Sequence, residues 1–212
     1  MRRLLIIAAV FAAGCATTRT HTPASIYDFG LDRPHALATS DASSLASEPF
    51  TKLLVTATSP AWLDNPAIHY RLAYHDPGRT YIYANSRWIS PPAVLLAQRI
   101  KRQIASMGNS AVVSSGDGVR ADYALRLDLE EFIQVFETAG QSRAVVALRA
   151  SLIEPGTRAL LAQRSFSMEE PAPTANAAGA VTALTDASDK LIISLLDWLA
   201  RELSEARKEA SQ

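Results

Sequence analysis

The sequence predicts an α/β fold: a mixed β-sheet with an amphipathic helix after the central hairpin and a C-terminal amphipathic helix packed on it. Three stretches carry that expectation. Residues 68–104 alternate as a strand, reverse, return as a second strand and then change to helical spacing. Residues 121–138 alternate apolar and charged side chains over an unusually long run. From Ala180 apolar residues recur at helical steps as far as Leu203. One sheet and two striped helices bury each other's apolar faces.

The N-terminus has a different character. Met1-Arg2-Arg3 is a basic start, and residues 4–13 are apolar. That run is too short for a bilayer core, which needs about 20 residues. It reads as a cleavable signal segment. Ala12-Ala13-Gly14-Cys15 follows and resembles the bacterial lipobox, with Ala12 where leucine is usual. The resemblance implies peptidase cleavage between Gly14 and Cys15 and acylation of the Cys15 thiol, with palmitate as an acyl chain. The next residue is Ala16 rather than aspartate, which by the same resemblance favours the outer membrane. Cys15 is the sole cysteine, so an intrachain disulfide and a cysteine metal cluster are excluded. Residues 1–14 are thus expected to be a signal peptide and 15–25 a lipidated flexible tether.

The remaining elements follow in order. Residues 26–31 alternate Tyr27 and Phe29 against Asp28 and Gly30 and suggest a short strand. Residues 32–49 are rich in serine, alanine and proline and read as a long loop. Residues 50–59 are a hydrophobic strand, and Asp64-Asn65-Pro66 is a turn signal. In the hairpin, Tyr70, Leu72 and Tyr74 share one face. Asp76-Pro77-Gly78 supplies turn chemistry, and Tyr81-Ile82-Tyr83 returns. Ser90 is placed to cap a helix beginning at Pro91. Its stripe is Ala93, Ala97, Ile100 and Ile104, widened by Val94 and Leu96, and Gly108 is placed to end it.

Residues 111–113 are a short strand, and residues 114–118 form a loop. In residues 121–138 the leucine face shifts phase at Phe132-Ile133, so a bulge is expected near Glu131. Residues 144–153 and 160–168 complete a three-stranded meander, with reversals at 139–141 and 154–156. In the closing helix Val181, Leu184, Leu191, Leu195 and Trp198 form the stripe. Asp186, Asp189, Lys190, Asp197, Arg201 and Glu202 take the polar positions, and that charge argues against a transmembrane helix. Residues 26–206 read as a single domain and 207–212 as a polar tail.

Composition bounds the function. The chain has 212 residues, 48% of them hydrophobic and 20% charged, enough for one sizeable core. Its 21 basic and 21 acidic residues balance, and loss of Arg2 and Arg3 with a signal peptide would leave it slightly acidic. A nucleic-acid binder needs a basic face, so no nucleic-acid partner is expected.

No catalytic motif is present. His69 and His75 would lie on one face of a strand about 20 Å apart, too far to share a metal. Glu130-Glu131 and Glu169-Glu170 would point to opposite faces of their strands. No nucleophile elbow, P-loop or dinucleotide glycine pattern occurs, so neither an enzyme nor a cofactor nor a metal site is expected.

Tyr70 and Leu72, then Tyr81 and Tyr83, then Arg87-Trp88, then Pro91-Pro92 opening a helix, form an ordered pattern. It resembles the ABC-type transport auxiliary lipoprotein family, the PqiC-like lipoproteins that accompany MCE-type lipid transport systems. The resemblance covers roughly residues 26–203. It implies a lipid-anchored, periplasm-facing domain on the outer membrane that supports lipid transport by tethering and docking. Its implied partners are an MCE-domain protein and the permease and ATPase of the transporter, with a homo-oligomer left open. Tyr81, Tyr83, Arg87 and Trp88 are the candidate partner contacts. For Trp88 and the tyrosines, core packing is the favoured alternative. The competing function is an outer-membrane structural or envelope-assembly lipoprotein without a transporter.

Overall fold

The computed structural model describes residues 23–30, 51–106, 110–114 and 116–210. Gly14 and Cys15, the tether up to residue 22, the 32–49 loop and Gly108 lie outside these residues.

One long strand organises the sheet. β1 (Ser25–Tyr27), β2 (Thr51–Thr58), β3 (Ala67–Leu72), β4 (Asp76–Trp88) and helix α1 (Pro92–Ser106) precede it, with β5 (Ser110–Val113) between. The long strand is β6 (Tyr123–Phe136), followed by β7 (Ser142–Glu154), β8 (Ala159–Pro171) and helix α2 (Ala177–Ala210). β6 pairs antiparallel with β7 along its length, and β7 with β8. The other edge of β6 is shared by two strands, both parallel to it. β2 takes the first half, from Leu53 beside Tyr123 to Thr58 beside Asp128. β3 takes the end, from Tyr70 beside Gln134 to Leu72 beside Phe136. β5 extends the sheet beyond β2, while β4 and then β1 extend it beyond β3.

The bulge expected near Glu131 is present, as a register shift between Leu129 and Glu131. It changes the phase of β6 so that Leu125, Leu127 and Leu129, then Phe132, all reach the same core. Both helices bring their stripes to that core: Leu96, Ile100 and Ile104 from α1, and Leu184, Leu191, Leu195, Trp198 and Leu203 from α2. Each such side chain contributes roughly 1.5–3 kcal/mol on burial. On the opposite face Ile133, Val135 and Val145 make a small separate cluster.

Several local expectations are corrected. The hairpin reverses at 73–75, not at Asp76-Pro77-Gly78. The Ala73 amide donates to the Phe136 carbonyl (2.9 Å), and the His75 amide to the Leu72 carbonyl (3.0 Å). Pairing to β6 therefore fixes where β3 ends, and Asp76-Pro77-Gly78 forms the irregular start of β4, where the register shifts. The Leu95 amide donates to the Pro91 carbonyl (3.2 Å), which makes Pro91 the cap of α1 and Pro92 its first residue. In α1, Val94 is exposed and Leu95 is buried. β1 is shorter than the alternation suggested, and Phe29 beyond it enters the core.

α2 begins at Ala177, earlier than Ala180, because Asn176 caps it. Its Oδ1 accepts the Gly179 amide at 3.0 Å. The helix continues through Ala210 into the segment read as a tail, where Arg207 Nη2 donates to Thr51 Oγ1 (2.6 Å). Asp189, expected on a solvated face, is buried. Among the described residues no helix is long and apolar enough to cross a membrane.

Candidate functional site

The junction between hairpin and helix is built around three aromatic rings. Trp88 closes β4, and its amide donates to the Pro66 carbonyl at 2.7 Å. The next amide, Ile89, donates to the Tyr27 carbonyl at 2.7 Å, so β1 and the 59–66 turn both grip this end. The Trp88 ring meets Phe29 edge-on at 5.5 Å and Phe132 at 5.6 Å. Phe29 stacks on Phe132 at 5.9 Å. Trp88 is 1% exposed. As a direct surface contact it is therefore corrected: a large ring this buried, packed on Phe29 and Phe132, belongs in the core.

Arg99 crosses this junction. Its Nη1 donates to the Phe29 carbonyl (2.8 Å), and its guanidinium lies 5.8 Å from the Phe29 ring centre. Its other nitrogens reach Asp189 on α2. One side chain thus ties the segment after β1 to both helices. Gly30 ends that segment with φ +67°, a conformation suited to glycine, and its amide donates to Asp28 Oδ1 at 2.8 Å.

Nearer the hairpin tip, on the same sheet face, lies a tyrosine shelf. Tyr70 stacks on Tyr81 at 5.3 Å, tilts against Tyr83 at 4.7 Å and meets Phe136 at 5.8 Å. The Tyr83 hydroxyl donates to Gln134 Oε1 (2.7 Å), and Gln134 Nε2 donates to Ser142 Oγ (2.8 Å). Burial, and secondarily Tyr70, pushes the Tyr83 phenol up to about 12, so it stays a proton donor. Arg79 lies over the Tyr81 ring at 4.7 Å. Tyr81 and Tyr83 are half-buried, and Arg87 is exposed. The four contact candidates therefore divide: the tyrosines form a partly open aromatic shelf, Arg87 stands apart in solvent, and Trp88 supports the junction from beneath.

The remaining candidates have structural partners. His69 is buried and meets Trp62 edge-on at 5.3 Å, and burial lowers its pKa. His75 sits in the hairpin turn. The expectation for Glu130-Glu131 is corrected, because the bulge turns both carboxylates to the helix-free face. There Glu130 pairs with Arg149 (2.5 Å) and Glu131 approaches Arg71 (4.0 Å). Glu169 and Glu170 do point apart, to Arg143 and Lys190 respectively. Among the described residues no group of three metal-ligating side chains occurs.

Sequence reasoning missed Arg99, Asp189 and Gln134, three buried polar residues. The signal for the first two was a charge in an apolar row: Arg99 follows Leu95 by one helical turn, and Asp189 precedes Ile192. Beside the junction lies a groove of about 380 Å³, lined in part by Ile26, Ile89, Val181 and Thr182.

A mixed sheet with two helices packed on one face, and an aromatic cluster at the hairpin–helix junction, defines the class of fold. The fold is shared with solved structures. Protein XCC0632 from Xanthomonas campestris matches with a TM-score of 0.67 and 21% identity, over 76% of this chain and 90% of that one. An uncharacterized protein matches with a TM-score of 0.61 and 15% identity, over 84% and 99%. No curated protein matches. The family profile for the ABC-type transport auxiliary lipoprotein component matches residues 29–194. The chain belongs to that family.

Proposed function

We propose that this protein is anchored by a lipid on Cys15 to the outer membrane, faces the periplasm, and serves an MCE-linked ABC transporter that moves lipids between the two membranes. Its role is tethering and docking, with no bond made or broken. The observation that carries the reading is the family match over residues 29–194, which spans the junction, α1 and the first half of α2. The ion-paired carboxylates support a role without catalysis, since each is held by a cation. The half-buried Tyr81 and Tyr83 offer a contact surface for an MCE-domain partner, exposed Arg87 a separate contact, and permease and ATPase complete the system.

The experiment is fractionation of the envelope. Cys15→Ser blocks acylation and leaves uncleaved or misplaced precursor, and Ala16→Asp retains more protein in the inner membrane. A Cys15→Ser chain that is still processed and membrane-bound contradicts the anchor. Loss of the gene should also match loss of the neighbouring transporter genes. Phenotypes that add together would favour a structural lipoprotein instead.

A further inference from the structure

β1 runs parallel to β4, with Ser25 beside Ser86 and Tyr27 beside Trp88. Parallel pairing fixes a direction. Chain preceding Ser25 leaves the sheet toward the start of β4, which is the tip of the β3–β4 hairpin. Measured along β3, the tip lies about five residues beyond the level of Ser25, roughly 16 Å at strand rise. The roughly ten residues between Cys15 and Ser25 reach at most about 36 Å. Given the Cys15 anchor proposed above, a tether that keeps this direction passes the hairpin tip and leaves at most about 20 Å between the tip and the bilayer.

The side chains at this end suit a membrane boundary. Tyr74 in the turn is 51% exposed. Arg79 is held over the Tyr81 ring, beside the tip. Tyrosine settles at headgroup depth, and a guanidinium matches lipid phosphate.

We propose that the β3–β4 hairpin tip seats on the surface of the bilayer that holds this chain's own lipid anchor, with Tyr74 entering the headgroup boundary and Arg79 meeting phosphate. The contact sets the orientation of the domain: the tyrosine shelf lies close to the membrane, and the β7–β8 turn is held away from it.

The test uses the acylated full-length protein in vesicles of phosphatidylethanolamine and phosphatidylglycerol. Cys15 is the only cysteine, so acylation leaves no free thiol and one introduced cysteine labels uniquely. A fluorophore is placed at His75→Cys, in the hairpin turn, or at Thr157→Cys, in the β7–β8 turn at the opposite end of the sheet. Quencher-bearing lipid should dim the label at 75 several-fold more than the label at 157. Adding Tyr74→Ser and Arg79→Ser to the His75→Cys chain should remove most of that difference. A chain that floats with the vesicles but shows equal quenching at both sites overturns the hairpin contact alone. A chain that fails to float, with Cys15 reacting as a free thiol, overturns the anchor and the contact with it.

Discussion

Arg99 and Asp189 form a two-pronged ion pair between the helices, with Nε 2.7 Å from Oδ1 and Nη2 2.9 Å from Oδ2. Their side chains are 1% and 5% exposed. Removing one partner strands the other charge in the core, which typically costs about 3–5 kcal/mol. Asp189→Ala and Arg99→Met should each lose roughly that much in denaturant unfolding. The double change to Met and Leu should lose less than either single change, because no charge is left unpaired.

Trp88 makes a second stability prediction. Trp88→Ala removes a ring in contact with Phe29 and Phe132 and should cost about 3–5 kcal/mol. Tyr81→Ala, on the half-buried shelf, should cost markedly less while weakening partner capture. Thermal melts beside pull-downs separate the two effects.

A pH effect follows from His69. Burial lowers its folded pKa below the ordinary 6.5, so the unfolded chain binds its proton first. Stability from this site is full above about 6.5 and is lost as pH falls through the folded pKa. Arg71 with Glu131 is a charged pair on that sheet face. Unfolding curves at stepped pH should show an acid slope in the native chain that His69→Phe reduces.

Gly179 tests the start of α2. A Cβ there would sit 1.9 Å from the Thr174 carbonyl oxygen, a backbone atom that cannot swing aside. Gly179→Ala should therefore destabilise the protein despite alanine's better helix propensity. Gly140→Ala, whose Cβ meets nothing within 4 Å, should be nearly neutral by the same melt.

These residues also mark what local sequence can reveal. The alternation of β6 and its phase shift at Phe132-Ile133 located both the long strand and its bulge, because period and face are local properties. The Arg87-Trp88 to Pro91-Pro92 stretch located the hairpin–helix junction. The Arg99–Asp189 pair was hidden, since a charge on a striped helix looks solvated until a second helix crosses it. The turn was misplaced for a related reason: Asp76-Pro77-Gly78 has the stronger turn chemistry, yet the Ala73 bond to Phe136 decides where β3 stops. That β2 and β3 share one edge of β6 depends on long-range register alone.

The most direct measurement of the central claim is co-purification. Full-length acylated protein, tagged at the C-terminus, is recovered from detergent-solubilised membranes and its companions are identified. The expected result is an MCE-domain protein with its permease and ATPase, recovered with the native chain and depleted with Tyr81→Ala and Arg87→Ala chains that melt normally. A folded, abundant, membrane-anchored chain that brings down no transporter component would contradict the claim.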